Sequence, residues 1–312
     1  MSVLALTLSL LLLQQPPTYR VDAQFVKVPV TVLDTEGKAL LGLEKSDFRL
    51  FDEGESRPIE NFVLDKSPVH VLFLLDASRS VQDEIQEIRW ATLRFAQTFD
   101  RDDRIAVIGF SDTIEVLQDW TDDLDDVRKS LKKLKPGYRT ALYDALSATT
   151  KERLQKLPGK KVIILLTDGL DNESNTSFRE VMNQLIATNT VLYIVSRTKL
   201  IRDQVAEDDR VEFLNRVMKN VLKEEGSFVD AYFKVKETSM KQLAGANGGR
   251  VFFPDKLPAL GQSYLQIARE LKSQYVLTFR APENAEKKFR RILVECLRDV
   301  GQVYYREIYL AP

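Results

Sequence analysis

Hydrophobic and polar residues alternate in two stretches of the chain, residues 20–66 and residues 274–312. An alternation with a period of two is typical of β-strands that bury one face and expose the other. Turn-forming residues divide each stretch into short runs, too few at either end to enclose a hydrophobic core. We therefore expect the two ends of the chain to combine in a single β-sandwich.

The pattern changes between residues 69 and 273, where nearly continuous apolar runs alternate with segments of helical periodicity. The apolar runs cover residues 69–75, 104–110, 161–167, 190–196 and 250–253, and the helical segments cover residues 81–99, 124–134, 141–157, 239–247 and 257–273. Short, nearly continuous apolar runs predict strands that are covered on both faces. Strands and helices in alternation predict a doubly wound, mostly parallel α/β sheet, inserted between the two halves of the sandwich.

Residues 199–236 interrupt this alternation with a strongly charged insert. Five apolar residues within it are spaced as on one face of an amphipathic helix, namely Val211, Leu214, Val217, Val221 and Leu222. The insert leaves the sheet after Ser196, near the carboxyl edge if that strand runs parallel to the first. It forms either part of a partner-binding surface or an extra surface helix, and the sequence leaves both open.

Small oxygen-bearing side chains occur where the predicted strands end. Asp76, Ser78 and Ser80 follow the first strand of the sheet, Asp168 follows the strand 161–167, and Thr140 precedes a helix. The carboxyl edge of an open α/β sheet is where ligands bind. Two carboxylates and three hydroxyls suit a hard divalent cation, Mg²⁺ first and Mn²⁺ or Ca²⁺ as alternatives. The Cys and His ligands that zinc prefers are missing from this set.

Composition excludes several classes of function. The formal net charge is −1, so no overall field attracts nucleic acid. The basic cluster at residues 128–135 ends a helix that begins with acids, an order that complements the helix dipole. The single cysteine, Cys296, rules out a disulfide within the chain, and its alternating neighbours predict a small buried side chain.

Residues 1–13 form an apolar run that is too short to span a bilayer but typical of a signal-peptide core. No Lys or Arg precedes the run and no clean small-residue cleavage site follows it, so a truncated or mis-assigned start is the alternative. We expect residues 1–18 to be a signal-peptide-like segment and the protein to be exported, whether periplasmic, on the cell surface or secreted. No other segment reaches 18 apolar residues, which predicts a mature chain without a transmembrane segment.

The oxygen-bearing residues closely resemble the metal-ion-dependent adhesion site of the von Willebrand factor type A family. The family's Asp-x-Ser-x-Ser motif corresponds to Asp76, Ser78 and Ser80, its loop threonine to Thr140, and its Thr-Asp-Gly motif to the segment around Asp168. The resemblance covers about residues 69–273. It implies that the hydroxyls contact the metal directly, that the acids often act through water, and that an Asp or Glu of a protein partner completes the coordination.

The flanking segments carry a narrower resemblance, to bacterial proteins of the acidobacterial von Willebrand factor A-related type, which are mostly exported. It rests on the pattern Val28, Val30, Val32, Asp34 and Gly37. We expect a Rossmann-like domain over residues 68–273, with the insert 199–236. An immunoglobulin-like β-sandwich is expected from residues 20–67 and 274–312.

We expect a non-enzymatic module that binds a protein partner through the metal. The alternative is a structural or assembly protein of the cell envelope, in which the metal only stiffens the loops. An enzyme or a cytoplasmic chaperone-like module is the least favoured. The only histidine, His70, lies inside a strand, where it is poorly placed for a catalytic triad. No Gly-rich phosphate loop and no general base beside the metal residues are evident.

Several neighbouring residues have open roles. Asp171, Asn172 and Glu173 extend the Asp168 loop, either as the rim of the site or as ordinary loop residues. Arg79 either steers an acidic partner or faces solvent. We interpret Asp112 and Asp119 as solvated loop acids, place Trp120 in a loop, and expect Trp90 and Trp120 to pack in the core.

Overall fold

The computed structural model describes residues 25–169, 171, 173–206, 228–282, 285 and 288–311. The signal-peptide-like segment 1–18, the predicted amphipathic helix at 211–222 and Asn172 lie outside the described residues, as does the side chain of Ser80. None of the helices in the described part of the chain is long and apolar enough to cross a membrane.

Eight strands from the two ends of the chain form two antiparallel sheets. The strands are β1 Phe25–Leu33, β2 Phe48–Asp52, β3 Glu55–Arg57, β4 Asn61–Leu64, β11 Tyr275–Arg280, β12 Phe289–Cys296, β13 Gln302–Tyr305 and β14 Ile308–Leu310. The sheet orders are β13-β1-β11-β4 and β14-β12-β2-β3, so each sheet mixes strands from both ends. One hydrophobic cluster joins residues of both sheets, including Val28, Leu50, Leu277 and Ile292. The expected sandwich is confirmed.

A buried carboxylate links the two ends of the chain inside this sandwich. Asp52, at the end of β2, is fully buried. Its oxygens accept hydrogen bonds from the Nε and Nη2 atoms of Arg290, both at 2.9 Å, and from the hydroxyl of Tyr309 at 3.2 Å. Because a buried charge is costly unless it is paired and hydrogen-bonded, this arrangement ties the first half of the sandwich to the second.

The central sheet has six strands in the order β10-β9-β8-β5-β6-β7. Their bounds are β5 Val69–Asp76, β6 Arg104–Phe110, β7 Ile114–Thr121, β8 Lys160–Thr167, β9 Thr190–Ser196 and β10 Val251–Phe252. All neighbours are parallel except β6 and β7. The side chains of β8 from Val162 to Thr167 are fully buried, as the uninterrupted apolar run predicts.

Helices cover both faces of the central sheet. They are α1 Ile85–Ala96, α2 Leu124–Leu131, α3 Leu142–Thr149, α4 Phe178–Ala187, α5 Thr198–Ala206, α6 Phe228–Ala246 and α7 Ala259–Lys272. Helices α1, α2 and α7 contribute to the core on one face, and α3, α4 and α6 to the core on the other. A 3-10 segment, Arg79–Glu84, leads into α1, and a π-helical turn, Thr150–Leu154, extends α3. The mostly parallel α/β fold is therefore confirmed.

The structure differs from the sequence prediction at one edge of the sheet. Asp119 and Trp120 lie in the antiparallel edge strand β7 and not in a loop. The pairing of β7 with β6 contains register shifts, and the edge position leaves Ile114 and Val116 exposed. Buried and exposed positions therefore do not alternate regularly along β7, and its sequence lacks the pattern that is typical of a strand.

Helix α6 begins at Phe228, eleven residues before the predicted start at Ser239. Phe233 and Met240 are buried on the same face of the helix at a spacing of seven residues, so one residue of the predicted insert, Phe233, is buried. Charged residues between them hide this spacing in the sequence.

The structure also tests the expectations for the two tryptophans and the cysteine. Trp90 is 55% exposed and lies under the guanidinium of Arg94, 4.8 Å from its ring centroid, so it is not a core residue. Trp120 is half-buried and packs against the hydrophobic core that α3, α4 and α6 share, as expected, with its ring edge-on to His70 at a centroid distance of 5.3 Å. Cys296 is half-buried at the end of β12.

Candidate metal centre

Two buried carboxylates lie where the central strands β5 and β8 end. Asp76 is the last residue of β5 and Asp168 directly follows β8. The two strands are parallel neighbours, with Leu75 opposite Leu166. The register therefore brings both acids to the same edge of the sheet, where they are 0% and 1% exposed.

Hydrogen bonds fix the orientation of the Asp76 carboxylate. Its Oδ1 accepts the backbone N–H of Ser78 at 2.9 Å, and its Oδ2 accepts the hydroxyl of Thr167 at 2.8 Å. The same Thr167 hydroxyl accepts the N–H of Gly169 at 3.1 Å. Gly169 has a φ of 73°, a conformation that glycine adopts without strain. The turn after each strand is thus part of one hydrogen-bonded arrangement.

Thr140 is held beside these turns by a loop that contacts both of them. The N–H of Gly137 donates to the carbonyl of Ala77 at 2.6 Å, and the N–H of Leu142 donates to the carboxylate of Asp171 at 2.9 Å. One bond reaches the Asp76 turn and the other reaches the Asp168 loop. Thr140 lies between them in the sequence and is 5% exposed.

The acids beside the site fasten this loop. Asp112, although exposed, accepts the N–H of Tyr138 at 2.9 Å, and Glu173 pairs with Arg139 at 2.8 Å. A Cβ on Gly137 would lie 2.3 Å from the Ser111 hydroxyl, so only glycine allows the loop to approach this closely. Asp112 and Glu173 therefore have structural roles that isolated loop acids would lack.

The electrostatics of the site disfavour two ionised carboxylates side by side. Burial, and then the neighbouring charge of Asp168, raise the pKa of Asp76 to about 7. Ser78 and Thr140 are also buried at this edge, at 4% and 5% exposure. No group of three His, Cys, Asp or Glu side chains placed to hold a metal ion is found in the described ranges. Two carboxylates with neutral hydroxyls fit a hard divalent cation and not the zinc ligand sets of Cys and His.

The raised pKa predicts how stability changes with pH when no cation is bound. Asp76 has an ordinary value of 3.8 in the unfolded chain and about 7 in the fold. Between these values the folded state binds more protons, so the free energy of unfolding falls as pH rises, and the loss stops above about 7. Urea unfolding in the presence of chelator at several pH values measures this change in the free energy of unfolding. The Asp76→Asn variant should show a flatter dependence, and an unchanged slope would contradict the assignment.

A buried ion pair beneath the site was missed by the sequence analysis. Arg197 directly follows β9 and has the largest fully buried side chain in the described residues. Its Nε donates to Glu84 at 2.7 Å, and its N–H donates to the carbonyl of Thr167 at 2.9 Å. Glu84 ends the 3-10 segment that contains Ser80. The ion pair therefore joins β9, β8 and the Asp76 motif. The only feature of the sequence that points to this ion pair is an arginine directly after a buried strand.

Four of the five expected metal residues thus lie buried at one edge of the sheet, namely Asp76, Ser78, Thr140 and Asp168. The side chain of Ser80 is outside the described residues. Around them Tyr138 is 80% exposed, and Arg79 and Arg139 are exposed as well. The strand β9 is parallel to β8, with Ser196 opposite Thr167. The insert that begins after it therefore leaves the sheet at this edge.

Solved structures resemble the chain at low sequence identity. Proximal thread matrix protein 1 from the mussel byssus is 17% identical with a TM-score of 0.50, covering 71% of this chain and 51% of its own. The same protein with a zinc-occupied metal-ion-dependent adhesion motif gives the same identity and TM-score. BatB from Bacteroides thetaiotaomicron is 15% identical with a TM-score of 0.43, covering 66% of this chain and 100% of its own. This chain spans about half the length of the byssus protein.

No curated protein sequence matches the chain. The sequence model of the von Willebrand factor type A domain matches residues 70–266, which is more than half of the chain and includes the central sheet except for Val69. The chain belongs to the von Willebrand factor type A domain family.

Proposed function

We propose that this protein is a binding module that recognises a protein partner through a divalent cation held by Asp76, Ser78, Ser80, Thr140 and Asp168. The observation that supports this most is the pair of buried carboxylates at the ends of β5 and β8, which the register of the two strands brings to the same edge of the sheet. A bound cation supplies a Lewis acid that can accept a carboxylate of the partner. Mg²⁺ is the favoured ion from the oxygen donors. The zinc in the byssus protein makes Zn²⁺ the competitor to test.

The partner would offer an Asp or Glu to this edge of the sheet. Arg79 directly follows Ser78, is exposed and would attract such a residue. Tyr138, exposed on the Thr140 loop, offers the amphipathic surface that is common at interfaces. We further propose that the insert 199–236 forms one wall of this partner surface, because it follows β9, which ends at the same edge of the sheet.

A catalytic role has little support. Domains of this family are usually non-enzymatic adhesion or assembly modules. His70 precedes Asp76 by six residues in the same strand, which separates the two by about 20 Å. We propose an exported protein of bacterial origin, of the acidobacterial-related type, with a sandwich from residues 20–67 and 274–312 that carries the α/β domain 68–273.

A pull-down from an envelope fraction tests the function. The full chain should retain a partner in Mg²⁺ and lose it in chelator and in Asp76→Asn, while Glu173→Gln, which removes an acid from the same rim, should still bind. A variant in which a short Gly-Ser linker replaces residues 208–226 should bind more weakly. If chelator lowers the unfolding temperature but leaves the partner bound, the metal only stiffens the loops and the assembly role replaces this proposal.

A further inference from the structure

A cavity of about 530 Å³ lies at the end of the central sheet opposite the candidate metal centre. Lys160 and Lys161, at the start of β8, and Val191 of β9 line one side. Strands β1, β4 and β11 of the sandwich line the other. Because β8 has eight residues, the cavity is about 20 Å or more from Asp168. It is therefore separate from the metal residues and independent of the proposed function.

Two buried cations in this cavity have no carboxylate partner among the described residues. Lys161 is 8% exposed and Arg306 is 6% exposed. Arg306 donates to the Asn189 side chain. The only carboxylate among the described lining residues is Asp65, which pairs with Lys160 at 3.4 Å. A buried charge without a partner is costly, so an anion that paired with both cations would be favoured.

The electrostatic environment agrees with this geometry. Burial lowers the pKa of Lys161, and the nearby positive charge of Arg306 lowers it further. Burial also lowers the pKa of Arg306 to about 10, which still leaves the guanidinium charged at neutral pH. The two groups therefore repel each other, and an oxyanion between them would remove the repulsion.

An unsatisfied amide lines the same cavity. Gln274, just before β11, is 1% exposed, and neither Oε1 nor Nε2 has a hydrogen-bond partner among the described residues. Only its backbone carbonyl is engaged, by the N–H of Asp65 at 2.8 Å. Buried amides without partners are rare in folded proteins. The Nε2 group of Gln274 can donate to an oxyanion in the cavity.

Part of the lining is apolar. Phe25, Val63 and Leu310 are 52%, 45% and 37% exposed, and all three line the cavity together with Pro29 and Val276. Large apolar side chains exposed around one opening are typical of binding sites. Pockets of a few hundred Å³ with an apolar lining and a few polar anchors are typical of small-molecule sites.

We propose that this cavity binds an organic anion, with its carboxylate or phosphate group between Lys161 and Arg306 and its apolar part against Phe25, Val63 and Leu310. The Gln274 amide donates a third hydrogen bond to the oxyanion. The site joins the sandwich to the α/β domain, so its occupant contacts strands from both.

Hexanoate, hexyl phosphate and 1-hexanol are the probes for a titration of the full chain by calorimetry, at constant ionic strength and in chelator. At least one of the two anions should bind with one site per chain, and 1-hexanol should bind far more weakly. Tighter binding of hexanoate identifies the ligand as a carboxylate, and tighter binding of hexyl phosphate identifies it as a phosphate ester. Equal binding of 1-hexanol, or no binding of either anion, would overturn the proposal.

Variants separate the site from a general affinity for anions. Lys161→Met should weaken binding of the preferred anion roughly ten- to a hundredfold, and should unfold at a higher temperature than the parent without anion, because it removes an unpaired buried charge. Lys133→Met, which removes an exposed lysine outside the cavity, should bind as the parent does. Gln274→Leu should also bind more weakly. Unchanged affinity in both Lys161→Met and Gln274→Leu would refute the site.

Discussion

Replacing Asp76 with Asn should lower the affinity of the chain for its divalent cation by about 100-fold or more, since even residues that only orient metal ligands contribute 10- to 100-fold. Asp76 is fully buried, and its two oxygens are oriented by Ser78 and Thr167. An asparagine has the same shape and can still accept the Ser78 N–H. The change therefore removes one of two negative charges while largely preserving the turn.

The same substitution should affect stability in the opposite direction when no cation is present. Burial and the charge of Asp168 disfavour the ionised form of Asp76, which is why its pKa is raised to about 7. At neutral pH in chelator, Asp76→Asn should therefore unfold at a higher temperature than the parent. In Mg²⁺ the parent should gain stability and the variant should gain little.

Calorimetric titration with Mg²⁺, Mn²⁺, Ca²⁺ and Zn²⁺, together with thermal unfolding, measures both effects. Asp168→Asn should behave like Asp76→Asn. Glu173→Gln provides the matched control, because it removes an acid from the same loop that pairs with Arg139 on the surface. If Glu173→Gln loses the cation as completely as Asp76→Asn does, the site is not centred on the buried acids.

The sequence predicts the strands of the central sheet well because they are buried on both faces. An uninterrupted apolar run such as 161–167 has few alternative structures, and the acid that follows it must then lie at the sheet edge. The position of Asp168 relative to Asp76 follows from the pairing of β5 with β8. The metal-binding role of these residues stays a prediction.

The features that the sequence missed depend on contacts between distant segments. The bond from Gly137 to Ala77 holds the Thr140 loop, and no local propensity encodes it. Strand β7 has lost its alternation through register shifts at the edge of the sheet. Glu84 and Arg197 are 113 residues apart in the sequence. Each alone is typical of an exposed charged residue, and only the fold shows that the two are buried together.

Replacing Glu84 with Ala should destabilise the protein by about 3–5 kcal/mol, the usual cost of removing one partner of a buried ion pair. Arg197 is fully buried and its Nε donates to Glu84 at 2.7 Å. Without that carboxylate, the buried charge of Arg197 loses its ion pair with Glu84. Glu84 lies just before α1, at the end of the 3-10 segment that follows Ser78. Loss of the ion pair should therefore also weaken the link between the Asp76 motif and β9.

The exposed pair Arg139 and Glu173 gives the comparison within the same chain. Its side chains are 63% and 41% exposed, so Glu173→Ala should cost only about 0–1 kcal/mol. The double variant Glu84→Ala with Arg197→Met should be more stable than Glu84→Ala alone, because it also removes the charge that the single change leaves buried. Urea unfolding of the four proteins measures these differences. A Glu84→Ala midpoint close to that of Glu173→Ala, or a double variant less stable than the single one, would show that the buried charge is not the source of the loss.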